Sequence, residues 1–211
     1  MRITEPMTMA TDYVMGVVAL ALAAQLFRQG ASAGQIAMRL WAIALTMTAI
    51  AAFVGGSYHG FIEMLPPVVA ARMWTLTMAA TGVGSAALLA AAVVSGTGGM
   101  LQRVLVWVVI AKLACYLVWI SSRTDFLVVI ADYAAALVGV ILLTWLARPS
   151  GLSAAAGWIT AGVCVSVVAA VIQARHIAPH PQFNHNDLFH VVQTGALYLL
   201  YRGGLLLRDF H

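Results

Sequence analysis

Seven long apolar stretches run through this chain of 211 residues. They lie at about Tyr13 to Phe27, Ile36 to Tyr58, Val68 to Val94, Leu101 to Ile120, Phe126 to Leu146, Ser153 to Gln173 and Leu188 to Leu207. A bilayer core about 30 Å thick needs ~20 apolar residues per crossing helix. The breaks between the stretches carry loop chemistry, such as Pro66-Pro67, Gly96-Thr97-Gly98-Gly99 and Pro149-Ser150-Gly151. Alternation with period two is absent, which disfavours a β-barrel. The expected fold is therefore all-α: one domain over residues 1–211, a polytopic membrane protein with a bundle of seven transmembrane helices.

Composition excludes the alternatives. Hydrophobic residues make up 63% of the chain and charged residues 9%, against about 25% charged in soluble domains. Disorder needs the opposite balance. The eleven basic residues are scattered rather than gathered in a stripe, so no nucleic-acid partner is expected. Cys115 and Cys164 sit inside apolar stretches and read as packed thiols, not a disulfide or metal framework. The first stretch follows Glu5 and Asp12 without a basic leader, as in a retained first helix rather than a cleaved signal.

With seven crossings, Arg2, Arg72, Arg123 and Arg175 share one side, and Arg28, Arg39, Arg103, Arg148, Arg202 and Arg208 the other. The basic excess marks the cytoplasmic side. It favours the N-terminus outside and the C-terminus inside, in an inner membrane of bacterial type.

Polar chemistry is unevenly shared between the two sides. Glu5, Asp12, His59, Glu63, Asp125, His176, His180, His185, Asp187 and His190 all fall near the N-terminal side. His59 and Glu63 are one turn apart if the second helix continues past Gly60. An imidazole and a carboxylate so spaced suit a metal, or a base with its orienter. They equally suit an inert interfacial histidine. Asn186 or Asp187 reads as the N-cap of the seventh helix. His190 and Gln193 then descend into the membrane, where polar groups are functional by default. His185 and His190 are about 140° apart around a helix, so they share a metal only if His185 precedes the helix and folds back. Lys112, the only lysine, and Asp132 lie at similar depth on either side of the fourth turn if those helices form a hairpin. A lone charge there costs at least ~2.5–3.5 kcal/mol, so an ion pair is expected. That pair suits helix specification, a proton relay or, less well, a retinal-binding lysine.

The order of these pieces resembles the CREST superfamily, seven-helix membrane proteins that include alkaline ceramidases and progestin/adipoQ receptors. The resemblance is carried by Gly56-Ser57-Tyr58-His59 closing the second helix and by Glu63-Met64-Leu65-Pro66 after it. Asn186-Asp187-Leu188-Phe189-His190 opens the seventh helix, and an acidic patch with Glu5 and Asp12 precedes the first. It implies zinc held by a second-helix histidine, His59, and seventh-helix histidines, of which His190 is the last. A serine and an acid would polarise the zinc-bound water. Two positions depart from that pattern. Asn186 stands where the paired histidine would be, leaving His185 or Asp187 as third ligand. Gly55 stands where the serine would be, with Ser57 close by.

The leading expectation is a zinc-dependent membrane hydrolase acting on a lipid amide or ester. Its ligands would be His59, His190 and His185, with Glu63 or Asp187 as base and Ser57 assisting. Two other classes stay open. One is a non-enzymatic sensor that binds a lipid or small molecule. The other is a small proton-coupled transporter using Lys112 and Asp132.

Overall fold

The computed structural model describes residues 3–123, 125–147 and 151–210. Arg2, Arg148, Pro149 and Ser150, which entered the orientation and loop readings, lie outside the described residues. Among the described residues the chain forms seven α-helices. They are α1 (Pro6–Ser32), α2 (Ile36–Phe61), α3 (Pro67–Gly96), α4 (Gly99–Ser122), α5 (Phe126–Leu146), α6 (Ser153–Ala174) and α7 (His185–Gly204). One 3-10 turn, Ile62–Met64, joins α2 to α3. Six of the helices, α1 to α6, are long and apolar enough to cross a membrane. The exception, α7, opens on a run of polar residues, His185-Asn186-Asp187.

Helix ends follow local chemistry. Pro6 and Pro67 each stand in the first turn of α1 and α3, where a missing N–H costs nothing. Asp125 caps α5 by accepting from the Leu127 N–H at 2.9 Å. Asn184 caps α7 and, with Asp187, completes a reciprocal capping box. The start of α2 is closed from the far end of the chain. Asp209 accepts from the Ile36 and Ala37 N–H groups, each at 2.8 Å. The Phe210 N–H donates to Val94 O at 3.0 Å.

Three expectations are corrected. The first helix begins at Pro6 rather than near Tyr13, so Asp12 lies inside α1 and is not part of a patch preceding it. Asn184, not Asn186 or Asp187, is the cap of α7, which makes His185 a helical residue. The fourth and fifth helices are not a packed hairpin. The chain closes in the order α1, α2, α3, α5, α6, α7 and back to α1, while α4 packs chiefly on α3 from outside.

Small residues allow these close approaches, as interfaces between membrane helices require. At Gly203 a Cβ would stand 2.5 Å from Ile159 Cγ1 and 3.2 Å from the Ile159 backbone nitrogen. The core between α1, α2, α6 and α7 centres on Leu26, Trp41, Ile159, Leu197 and Leu200, all fully buried. Large apolar side chains such as Trp107, Val118 and Leu146 point outward. Cys115 and Cys164 are free and exposed, not packed. Their helices present them outward, a direction that hydropathy alone does not encode.

Candidate functional site

The first turns of α1 and α7 meet at one end of the bundle, beside the last turn of α2. In α1, Thr8, Thr11 and Asp12 follow three- and four-residue spacing and so share a face. That face meets Asp187 and His190, which are three apart on α7. His190 Nε2 lies 3.2 Å from Asp12 Oδ1. Its Nδ1 lies 3.0 Å from Thr11 Oγ1. Both partners of the ion pair are buried, whereas Thr11 is partly exposed.

Hydrogen-bond direction defines the proton inventory. The Thr11 hydroxyl donates to a backbone carbonyl one turn back, Met7 O or Thr8 O, each at 3.1 Å. It accepts from His190 Nδ1 where that nitrogen carries the ring proton, and turns to donate to Nδ1 in the other tautomer. One further proton lies on the line between Nε2 and the Asp12 carboxylate, held by either partner. With Nδ1 protonated as well, Asp12 and His190 form a net-neutral unit, the form in which a buried acid and base are least costly.

Asp187, one turn before His190, is fully buried. It accepts from Thr8 Oγ1 at 2.8 Å and from the Asn184 N–H at 2.7 Å. Asn184 Nδ2 donates in turn to Thr8 Oγ1 at 3.3 Å. The cap of α7 is therefore also its attachment to α1. Asp187 and Glu5 are near enough to act on Asp12 electrostatically, and His59 on His190. Glu5 Oε2 lies 3.4 Å from His59 Nδ1 at the rim. Gly56 lets α2 close over the pair, since a Cβ there would stand 2.8 Å from Asp12 Cβ. Tyr13 Oη and Ser57 Oγ are 2.8 Å apart alongside.

Other residues singled out from the sequence lie elsewhere. Glu63 is exposed on the 3-10 turn, because α2 ends at Phe61, so it does not continue the helical face of His59. His185 points away from His190, and its Nε2 lies 3.2 Å from His176 Nδ1. Asn186 accepts from Gln173 Nε2 at 3.2 Å, and Gln193 donates to Ser166 Oγ at 3.2 Å. Both tie α7 to α6. The three histidines expected to hold zinc therefore face three different partners. His190 commits both ring nitrogens, and among the described residues no group of three or more His, Cys, Asp and Glu side chains could hold a metal ion. The residues as arranged do not fit a three-ligand zinc site.

A second polar cluster lies at the middle of the bundle wall. Lys112 Nζ of α4 lies 2.7 Å from Asp132 Oδ1 of α5. Ser85 of α3 joins both, donating to Asp132 Oδ2 at 2.5 Å and accepting from Lys112 Nζ at 3.0 Å. Tyr116, one turn on from Lys112, donates to Met78 O at 2.8 Å. The peripheral α4 is thus attached to the ring by polar contacts. Thr8, Thr11, Asn184 and Ser85 were not singled out from the sequence. The common face of Thr8, Thr11 and Asp12 was the available signal, had α1 been extended to Pro6.

The family model described as a family of unknown function (DUF6962) matches residues 7–209. No curated protein and no solved structure matches the chain.

Proposed function

We propose that this chain, which belongs to the family of unknown function DUF6962, is an integral-membrane hydrolase acting on an acyl bond of a lipid. In this reading α7 crosses with the other six helices, as a seventh span in an inner membrane of bacterial type. The excess of basic residues on the C-terminal side favours the N-terminus outside. The reaction class comes from the resemblance to the ceramidase-like superfamily. The observation that carries the reading is the buried chain Asp12–His190–Thr11, an imidazole with a carboxylate on one nitrogen and a partly exposed hydroxyl on the other. That is the arrangement of a general base and its orienter.

The chemistry needs only these side chains and water. In the tautomer that leaves Nδ1 unprotonated, a water displacing Thr11 Oγ1 gives its proton to Nδ1 as its oxygen attacks the acyl carbon. The Asp12 carboxylate stabilises the imidazolium that results. The ring then returns the proton to the departing amine or alcohol, leaving a fatty acid. An acyl chain reaches this end of the bundle sideways from the membrane, along apolar helix faces. No step runs through zinc.

The test is hydrolysis of lipid amides and esters by purified protein in mixed micelles, wild type beside His190→Gln and Asp12→Asn. Loss of turnover in both, with folding retained, supports the reading. Full turnover in either variant ends it. The Lys112–Asp132–Ser85 cluster favours a second reading, a proton-coupled carrier with its charges at the midplane. Proton-coupled uptake into proteoliposomes, abolished in Lys112→Met, would support that one instead.

A further inference from the structure

We infer that His176 and His185 form a two-imidazole site for a divalent transition metal, Cu(II) or Zn(II), on the α6–α7 connection. It is separate from the Asp12–His190 pair.

The first argument is distance. His176 Nδ1 and His185 Nε2 are 3.2 Å apart. Two nitrogens bound to one metal at about 2.0–2.1 Å stand ~3.3–3.4 Å apart in a tetrahedral site and ~2.9 Å apart at a right angle. The observed spacing falls between these values. The rings cross at 81° with centroids 4.5 Å apart, so the nitrogens approach without the rings stacking. Without metal, one N–H donates to the other nitrogen; with a metal the donor ring takes its other tautomer, its proton moving to the far ring nitrogen, and both lone pairs face the ion.

The second argument is backbone strain. His176 has φ +52° and is the only non-glycine among the described residues in the left-handed region. It follows the C-cap of α6, where glycine is the usual residue because a Cβ is disfavoured. The Ile177 N–H donating to Ile172 O at 3.0 Å is the bond that such a helix ending makes. At this position a Cβ carries a cost that glycine avoids, and the side chain that bears it is aimed at a second imidazole nine residues on.

The third argument is access. His176 is exposed and His185 partly so. Two further coordination positions are therefore open to water, or to a neutral or anionic group on a ligand. His180 of the same connection is engaged otherwise, since its Nδ1 accepts from the Gln182 N–H at 3.1 Å.

The test is Cu(II) titration of full-length protein purified through a histidine-free tag, read by calorimetry and electron paramagnetic resonance. Wild type is expected to take one equivalent with nitrogen coupling from two imidazoles. His176→Gly suits the backbone conformation and leaves the fold intact; it should weaken binding at least tenfold. His185→Ala keeps the Asn184 cap and should do the same, whereas His180→Ala and His190→Gln should bind as wild type. Unchanged affinity in His176→Gly overturns the assignment. So does loss of the metal in His190→Gln with retention in His176→Gly, which would move the metal to the Asp12 site. Lipid hydrolysis is not part of either outcome, so the two readings stand or fall separately.

Discussion

Asp12 of α1 and His190 of α7 meet at 3.2 Å, from opposite ends of the chain, with both side chains buried. Neither group is tolerable there alone. Removing one partner of a buried pair costs roughly 3–5 kcal/mol, while replacing both by apolar residues is often neutral. Asp12→Leu or His190→Leu alone should therefore lower the melting temperature in detergent sharply. The double leucine variant should recover most of it. A double variant no more stable than the worse single would show that the pair is not a unit.

Catalysis should respond differently from stability. Asp12→Asn keeps the shape but cannot balance an imidazolium. Under the hydrolase reading it should slow turnover by roughly 10²–10⁴-fold. Gly56→Ala should slow it too, because the new methyl would press on Asp12 from 2.8 Å. Kinetics on folded, monodisperse protein check both.

The cap of α7 has a measurable share in stability. Asn184→Ala removes the side chain that accepts from the Asn186 and Asp187 N–H groups and donates to Thr8. Loss of an N-cap costs about 0.5–2 kcal/mol, and the lost link to α1 should place this variant at the upper end. Thermal unfolding of Asn184→Ala beside Asn184→Asp, which retains the cap, measures the difference.

Lys112→Met should destabilise by leaving the Asp132 carboxylate without its cation. The Lys112→Met/Asp132→Leu pair should be closer to wild type. Because α4 packs chiefly on α3, the single variant should also loosen α4 before the ring. Faster hydrogen exchange confined to α4 would report this; uniform exchange across all helices would contradict it.

Chelation separates the metal-free mechanism from a zinc enzyme. Lipid hydrolysis should persist after prolonged treatment with a strong chelator. Activity lost on chelation, restored by zinc and absent in His59→Ala would restore the three-histidine assignment.

Much of the fold could be read from hydropathy, because a membrane helix needs an apolar stretch of definite length. The beginning of α1 could not. The apolar window starts near Tyr13, but Pro6 starts the helix and the polar residues between them face inward onto α7. Lateral order was hidden for a related reason. Interfaces of Gly and Ala look alike from every helix, so nothing near Lys112 indicated that α4 stands outside the ring. The gathering of acids and histidines at one end was visible as a side preference. Which pairs touch depended on helix phase, and a cap two or three residues earlier than expected turned His185 away from His190.

The far-end closure of α2 has a consequence in time. Asp209 is made 173 residues after Ile36, whose N–H it accepts. At ~5–20 residues per second of synthesis, the start of α2 waits about 9–35 s for its partner. Through that interval its first amides must be satisfied by water or lipid headgroups at the membrane surface. The segment around Asp209 then acts as a latch, and a chain cut just before Asp209 would leave α1 to α7 made but the start of α2 unfastened.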